Sequence, residues 1–562
     1  MWAKILLLFF VFSFLFKTDY SFDQDLGRHL KLGEIIVKTG SVPNTNLFSY
    51  TNPDFPFINT HWLFEVITYL SSQTIGLQAL LFIKIIIFLI SVWLTLKIIP
   101  GKNKALLLPI GFIFLHALRE RTELRPEIFS FFFTSVVYYI LEKYLQGPTK
   151  LIYLLPVISL LWVNTHIYFF VGLVLQAIFL LHLTYVHLRL RPKDVKLISG
   201  KLKRLGLLLG LSILVSLINP GNLKGLLYPF NVTQNYGYTI VENQTMFLLE
   251  NIGFADPNFL FVKISIVIIF LSLLFASIKK KIEPKNILIS IFGAGLALIN
   301  VRSFPYLIFL SLPATLGNLG PIKQGNIKKL IVIVFSIFLI VESYLYLNGD
   351  YYRYRDDNNT VNLTLVEKGE KALDFAVNNN LPTPIYNNFD IGSYIIYRGY
   401  PKYTVFVDGR PEAYPKEFFS QTYIPSQSDF QKFKELDRKY NFKTIIFSHT
   451  DQTPWGKAFL ASIVKDSNWK TVYLDDFMII LVKNSVLASQ GQALQTLDPA
   501  KLDPSSYSFD TYLSYLRISL FLMQTNNPES AQKFAKKGLV IFPESPLGNA
   551  LFGINAPKKF FW

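Results

Sequence analysis

The sequence predicts a polytopic α-helical membrane protein of about eleven spans, followed by an extracytoplasmic α/β domain and a terminal helical hairpin. Three observations predict it. Apolar runs recur through the first 348 of 562 residues, every second loop between them is rich in Lys and Arg, and the runs stop after Asn348. Composition agrees, because 51% hydrophobic and 16% aromatic residues suit helices whose ends lie in a lipid interface. The net charge of +17 would attract a polyanion, but much of the excess sits in short loops beside apolar spans, where it orients the chain. No nucleic-acid partner is therefore expected. The absence of Cys excludes disulfides, thiolate ligands and thiol nucleophiles.

Lys4 to Phe16 is a short apolar stretch after a Lys, as in a signal peptide. Phe16-Lys17-Thr18-Asp19 is a poor cleavage site, so the stretch reads as a retained first helix with its N-terminus inside. Further spans are expected at 75–98, 105–118, 126–145, 150–163, 167–188, 203–218, 258–278, 286–300, 303–319 and 328–348. The inner loops are then those around Lys97, Lys102 and Lys104; Lys143 and Lys150; 189–204; Lys279 to Lys281 and Lys285; and Lys323, Lys328 and Lys329. All are basic, as the positive-inside rule requires, and a bacterial inner membrane fits. The same register puts 17–74, 119–125, 164–166, 219–257, Arg302 and everything after 350 outside.

The first outer loop, 17–74, opens with Asp23-Gln24-Asp25-Leu26-Gly27-Arg28-His29 and closes with Asn59-Thr60-His61-Trp62-Leu63-Phe64-Glu65. Two carboxylates just past a helix end can project toward the mouth of a bundle. One can accept a proton from a substrate hydroxyl while the other orients it or binds a divalent cation. A solvated helix cap is the alternative.

With these residues the chain resembles the membrane-embedded GT-C glycosyltransferases, which use sugars linked to a polyprenyl phosphate. It is similar to the protein O-mannosyltransferases and to the aminoarabinose and bacterial mannosyl transferases. Asp23 and Asp25 match the acidic motif of their first outer loop, which two juxtamembrane helices follow. Gly33, Gly40-x-x-Pro43, Phe48-Ser49-Tyr50 and His61-Trp62-Leu63 look like loops of bacterial members. The resemblance covers 1–348 in organisation and only short stretches in sequence, so it implies a polyprenyl-phosphate donor without naming the sugar.

Other outer residues fit on their own physics. Arg119, Arg121 and Arg125 stand within seven residues where the positive-inside rule disfavours them, so they need anionic partners. A lipid phosphate matches their guanidinium forks, and pairing with Glu120, Glu123 and Glu127 is the alternative. Trp162-Val163-Asn164-Thr165-His166 interrupts two apolar runs. Asn164 and His166 could hold sugar hydroxyls and Trp162 could stack on a pyranose face, or the segment is a capped helix hairpin with an interfacial Trp. Arg302 has no adjacent acid and joins the phosphate-binding set, while His61 is a further candidate substrate contact. The loop 219–257, with Tyr228, Tyr236, Tyr238, Glu242 and Glu250, is long enough to cover an active site or bind an acceptor.

Residues 349–485 read as the α/β domain, with strands at Pro384 to Tyr386, Tyr403 to Val407, Lys443 to Ser448, Thr471 to Leu474 and Met478 to Val482. Asn387-Asn388-Phe389-Asp390-Ile391-Gly392-Ser393-Tyr394 and Val407-Asp408-Gly409-Arg410 follow strands, where acceptor recognition and turn chemistry compete as readings. Residues 486–505 form a polar linker, and 506–562 a hairpin similar to one tetratricopeptide unit, which needs a neighbour to cover its apolar face.

The expected activity is transfer of a sugar from a polyprenyl-phosphate carrier to an extracytoplasmic glycan, lipid or protein. Asp23, with Asp25 as alternative or helper, takes the acceptor proton. The arginines stabilise the departing phosphate. No cofactor is required and a divalent cation is optional. A transporter or lipid-linked glycan flippase competes, but neither internal repeats nor midplane charges are evident. A surface-polysaccharide polymerase or ligase would share the carrier.

Overall fold

The structure, a computed structural model, describes residues 1–99, 104–189, 195–231, 236–254, 256–281, 283–319, 325–488 and 494–554. Lys102, Lys323, positions 190–194 of the basic loop, 232–233 of one sequon, 489–493 of the linker and the tail from 555 lie outside the described residues.

The membrane part is a bundle of apolar helices: α1 (Trp2–Leu15), α4 (Ala79–Ile98), α5 (Lys104–Leu115), α6 (Glu127–Gln146), α7 (Leu155–Val163), α8 (Phe170–Arg189), α9 (Val195–Val215), α12 (Pro257–Ile278), α13 (Pro284–Ile299), α14 (Leu312–Asn318) and α15 (Asn326–Leu347). Five of these segments are long and apolar enough to cross a membrane: α4, α6, α8 with its lead-in from Ile167, α12 and α15. They stay lipid-like on one side, since residues such as Phe82, Phe270 and Ile333 remain exposed on them. Between α1 and α4 lie α2 (Gly27–Thr39) and α3 (Trp62–Ile75), which pack together at Gly33, where a Cβ would come within 2.1 Å of the Glu65 carbonyl. The connection between α9 and α12 holds α10 (Asn222–Asn231) and α11 (Met246–Asn251).

Two expected spans differ in form. The 75–98 span begins at Ala79, because Gly76 at φ 90° ends α3 and turns the chain. The 303–319 span is broken into a 3₁₀ turn at Val301–Ser303, a π turn at Leu307–Ser311 and then α14. Pro305 and Pro313 lack the N–H that a continuous helix would need from them.

The C-terminal part carries a four-stranded sheet, β1 (Ile385–Asn387), β2 (Thr444–Ser448), β3 (Trp469–Leu474) and β4 (Met478–Lys483), in the order β1-β2-β4-β3. β1 and β2 run parallel, and the other pairings are antiparallel. Tyr403 to Val407, expected as a strand, makes only a bridge from Val405 to Ser49. The Asn387 side chain takes the Phe406 N–H and donates to the Val407 carbonyl, replacing the partners a ladder would supply.

The bundle and the sheet share one buried apolar core, which runs from Phe10 and Phe22 to Ile395, Ile446 and Met478. The 17–74 segment is the stitch: Asp19 bridges to Leu365, and Tyr50 Oη donates to the Ile385 carbonyl at 2.6 Å. Helices Tyr512–Gln524 and Pro528–Ile541 form the terminal hairpin, which buries Ile518, Phe521 and Phe534 in the core beneath the strands.

Candidate active site

The site begins at a π turn, Phe22–Leu26, that carries both acids of the first loop. On helical backbone, residues two apart point to different sides. Asp25 lines a small cavity of about 80 Å³, together with Arg28, His61, Arg125, His166 and Arg302. Asp23 does not line it: its carboxylate accepts the backbone N–H groups of Lys368 and Gly369, each at 3.1 Å. Asp23 thus fastens the turn to the chain that leaves the membrane, and burial pushes its carboxyl up to about 6. Asp25 is set differently. Burial raises it, but Arg125 and Arg28 outweigh burial and hold the carboxyl below its usual range, so it is ionised at neutral pH. Arg28 Nη2 lies 2.9 Å from Oδ1 and Arg125 Nε lies 3.4 Å from Oδ2.

Three arginines, two from the 119–125 turn and one from the 301–303 turn, converge on one carboxylate. Glu242 receives Arg121 at 2.7 Å, Arg125 at 3.0 Å and Arg302 at 2.9 Å. Burial again opposes ionisation, and the three cations again win, holding Glu242 well below the ordinary carboxylate range. Acids flanking the arginines complete the pairing, Glu127 to Arg121 at 3.2 Å and Glu123 to Arg125 at 2.7 Å. The Nε–H groups of Arg28, Arg121 and Arg302 remain buried without a hydrogen-bond acceptor. The cage therefore has donors left over for an anion richer in oxygens than a carboxylate.

Three histidines close the floor, with His61 ring centroids 5.8 Å from His29 and 5.5 Å from His166. Burial lowers all three, His61 to about 3, so they are neutral at pH 7. His29 Nδ1 stands 3.0 Å from Glu65, whose carboxyl burial lifts to about 7 while Asn59 donates to it at 2.6 Å. The Ser130 hydroxyl accepts from Trp162 Nε1 and lies 2.7 Å from His166 Nδ1. That contact engages Nδ1 and leaves Nε2 of His166, which donates when it carries the ring proton.

Several expected contacts lie elsewhere. Trp162 is 1% exposed and packed inside the bundle against Gly172, so no sugar reaches its face. Asn164 ties helix ends together, donating to the Leu160 and Ile218 carbonyls and accepting from Trp62 Nε1 at 2.7 Å. Arg119 turns into the bundle, where it meets Glu342 and donates to Tyr346 Oη at 3.0 Å. Asp408 and Arg410 form a buried pair, and Gly409 between them lines the cavity. Arg28, His29, Glu65 and Glu242 enter the site without having been singled out. For Arg28 and His29 a signal existed, since three and four residues after Asp25 is the spacing that brings helical side chains to one face.

A resident cation fits this arrangement poorly. Asp25 turns its oxygens to guanidiniums and Asp23 to backbone N–H groups, and no three His, Asp or Glu side chains among the described residues gather as metal ligands.

No protein-family model and no curated protein matches the sequence. Solved structures do match the fold. An oligosaccharyltransferase of Archaeoglobus fulgidus, tethered to an acceptor peptide containing the NVT sequon, superposes with a TM-score of 0.54 at 12% identity, over 84% of this chain and 72% of that one. The archaeal oligosaccharyltransferase AglB of the same organism, in complex with an inhibitory peptide and a dolichol-phosphate, superposes at 0.51 and 11% identity, over 99% of this chain and 87% of that one. ArnT from Cupriavidus metallidurans reaches 0.47 at 14% identity. The oligosaccharyltransferase superpositions show a shared fold.

Proposed function

We propose that the chain is a multi-pass membrane glycosyltransferase that moves a sugar from a polyprenyl-phosphate-linked donor to an acceptor on the non-cytoplasmic side. The observation that carries this reading is the gathering of guanidiniums around two ionised acids at one end of an apolar bundle: Asp25 meets Arg28 and Arg125, and Arg125 joins Arg121 and Arg302 on Glu242. That end collects the turns that the basic loops leave outside. A structure of similar fold was solved in complex with a dolichol-phosphate, which supports a polyprenyl carrier.

In the reaction, the acceptor oxygen attacks the anomeric carbon while Asp25 takes its proton. The bond from that carbon to the phosphate oxygen breaks, and the electron pair leaves with the lipid phosphate. Arg121, Arg125 and Arg302 meet the charge that develops there. Nε2 of His166 and the ring of His61 are placed to hold sugar hydroxyls. Glu242 now sits where the phosphate would bind, and 80 Å³ is far below the about 300 Å³ at which ligand sites begin. Donor entry therefore displaces Glu242 and its loop. This chemistry runs through side chains, so chelation with EDTA is expected to leave the transfer rate unchanged, and a rate restored only by added divalent cation would contradict it.

The test is transfer of labelled sugar from a polyprenyl-phosphate donor by the purified protein, with Asp23 and Asp25 replaced singly. Asp23→Asn is expected to keep transfer while losing about 1–3 kcal/mol of stability, because one of its two backbone donors faces an amide N–H₂ instead of an oxygen. Thermal unfolding in detergent reads that loss. If instead Asp23→Asn silences transfer in a folded protein and Asp25→Asn does not, the two acids exchange roles.

A further inference from the structure

A second cavity, of about 650 Å³, lies on the other side of the turn that carries the acids. It opens where α15 ends, at Asn348 and Gly349. Its walls are the segments 357–361 and 366–371, the β3–β4 turn at Asp475 and Asp476, and the start of the terminal hairpin from Phe509 to Arg517. The size is in the range of small-ligand sites. The terminal hairpin thus does more than cover the sheet, since without it this cleft has no far wall.

The lining has a definite chemistry. Both signs of charge are interleaved: Arg353 and Lys371 stand with Asp357, Glu370 and Asp510. Arg517 is already taken by Asp476 and Asn358, and Lys368 lies over the rings of Tyr20 and Phe477. With Glu367 and Asp475 the lining holds six acids against four bases, so no positive field remains to attract a polyanion. Hydroxyl groups, which donate and accept, match such a wall at every position. Tyr512 and Phe542, with ring centroids 5.0 Å apart, add an aromatic edge that a sugar ring can lie on. No residue lining the cleft belongs to a strand, so a peptide could not bind there by strand addition.

We propose that this cleft binds a neutral, linear glycan chain. Its connection to the first site makes that chain the acceptor: Lys368, in the cleft wall, donates its backbone N–H to Asp23, two residues before Asp25. The role as acceptor rests on the transferase reading, whereas binding does not.

The test is calorimetric titration of the full-length protein in lipid nanodiscs with maltohexaose, cellohexaose and chitohexaose, and with an uncharged hexapeptide for comparison. At least one hexasaccharide is expected to bind at a single saturable site. Tyr512→Ala, which removes the aromatic edge, and Asp510→Trp, which fills the mouth from an exposed position, each weaken it about tenfold or more. Lys432→Ala, on the exposed helix Phe430–Tyr440, leaves it unchanged. No binding of any hexasaccharide, binding untouched by both cleft variants, or binding of the peptide alone overturns the proposal. Sugar transfer is read separately, so loss of the transferase reading with saturable binding intact leaves a glycan-binding cleft and removes only its role as acceptor site.

Discussion

Asp25→Asn lowers the rate of sugar transfer by about 10²–10⁴-fold, the contribution of a positioned general base, while the donor still binds. The asparagine has nearly the same shape and cannot take a proton. The arginine cage survives the change, because Glu242 holds Arg121, Arg125 and Arg302 until the donor phosphate takes its place. The loss therefore falls on kcat rather than on the KM for the donor. The pH dependence has a fixed sign. Burial raises the Asp25 carboxyl, and the stronger opposing fields of Arg125 and Arg28 carry it below 3.8. A base is active when ionised, so Asp25 imposes no loss of activity between pH 5 and 8 and an acid limb appears only below its usual range. Beside the cavity, burial lifts Glu65 to about 7, while Asp23, on the far side of the turn, stands at about 6. An inflection near pH 7 in the wild-type profile would belong to the His29–Glu65 pair and would persist in the residual activity of Asp25→Asn. Undiminished transfer by Asp25→Asn would remove the proposed base altogether.

How far the site was readable depends on which interactions are local. Asp25, Arg125 and Arg302 come together because loops of one sidedness must meet at one end of a bundle, and hydropathy with loop charge records sidedness. The fine facing of Asp23 against Asp25 was not readable, since it turns on a π turn that one extra residue per turn creates and no residue type announces. Trp162 and Asn164 illustrate the same limit. Polar groups at membrane depth need partners, and the sequence shows the need without showing that Ser130, Trp62 and the Ile218 carbonyl meet it. Glu242 is the plainest case. Its partners lie 60, 117 and 121 residues away, and its loop showed only that something could be covered. The C-terminal part was readable at all four strands, β1 to β4. It failed at Tyr403 to Val407, where a single side chain, Asn387, substitutes for a ladder.

Arg410→Ala destabilises the protein by about 3–5 kcal/mol, the usual result of stripping one partner from a buried ion pair. Arg410 and Asp408 are both 0% exposed, joined by Nε–Oδ1 and Nη2–Oδ2 contacts of 2.7 Å each. The guanidinium also donates to Asn46 at 2.8 Å and lies between the rings of Phe48 and Phe57, at 5.1 and 5.0 Å. Asn46, Phe48 and Phe57 belong to the 17–74 segment, so one side chain clamps that segment to the loop 408–412. Truncation leaves the Asp408 carboxylate with only the Tyr414 hydroxyl at 3.0 Å and the nearby backbone, inside an apolar shell. The pair itself contributes much less than this, because two buried charges lose most of their mutual attraction to desolvation. The double variant Asp408→Leu with Arg410→Met should accordingly recover a large part of the loss, and a thermal-unfolding cycle over the four proteins reads the coupling directly. Gly409 and Pro411 line the catalytic cavity, so the folded fraction of Arg410→Ala also transfers sugar more slowly, through a loosened wall rather than a lost proton acceptor. A thermal midpoint equal to wild type in Arg410→Ala would mean that water reaches Asp408 and that the clamp is not what joins the two segments.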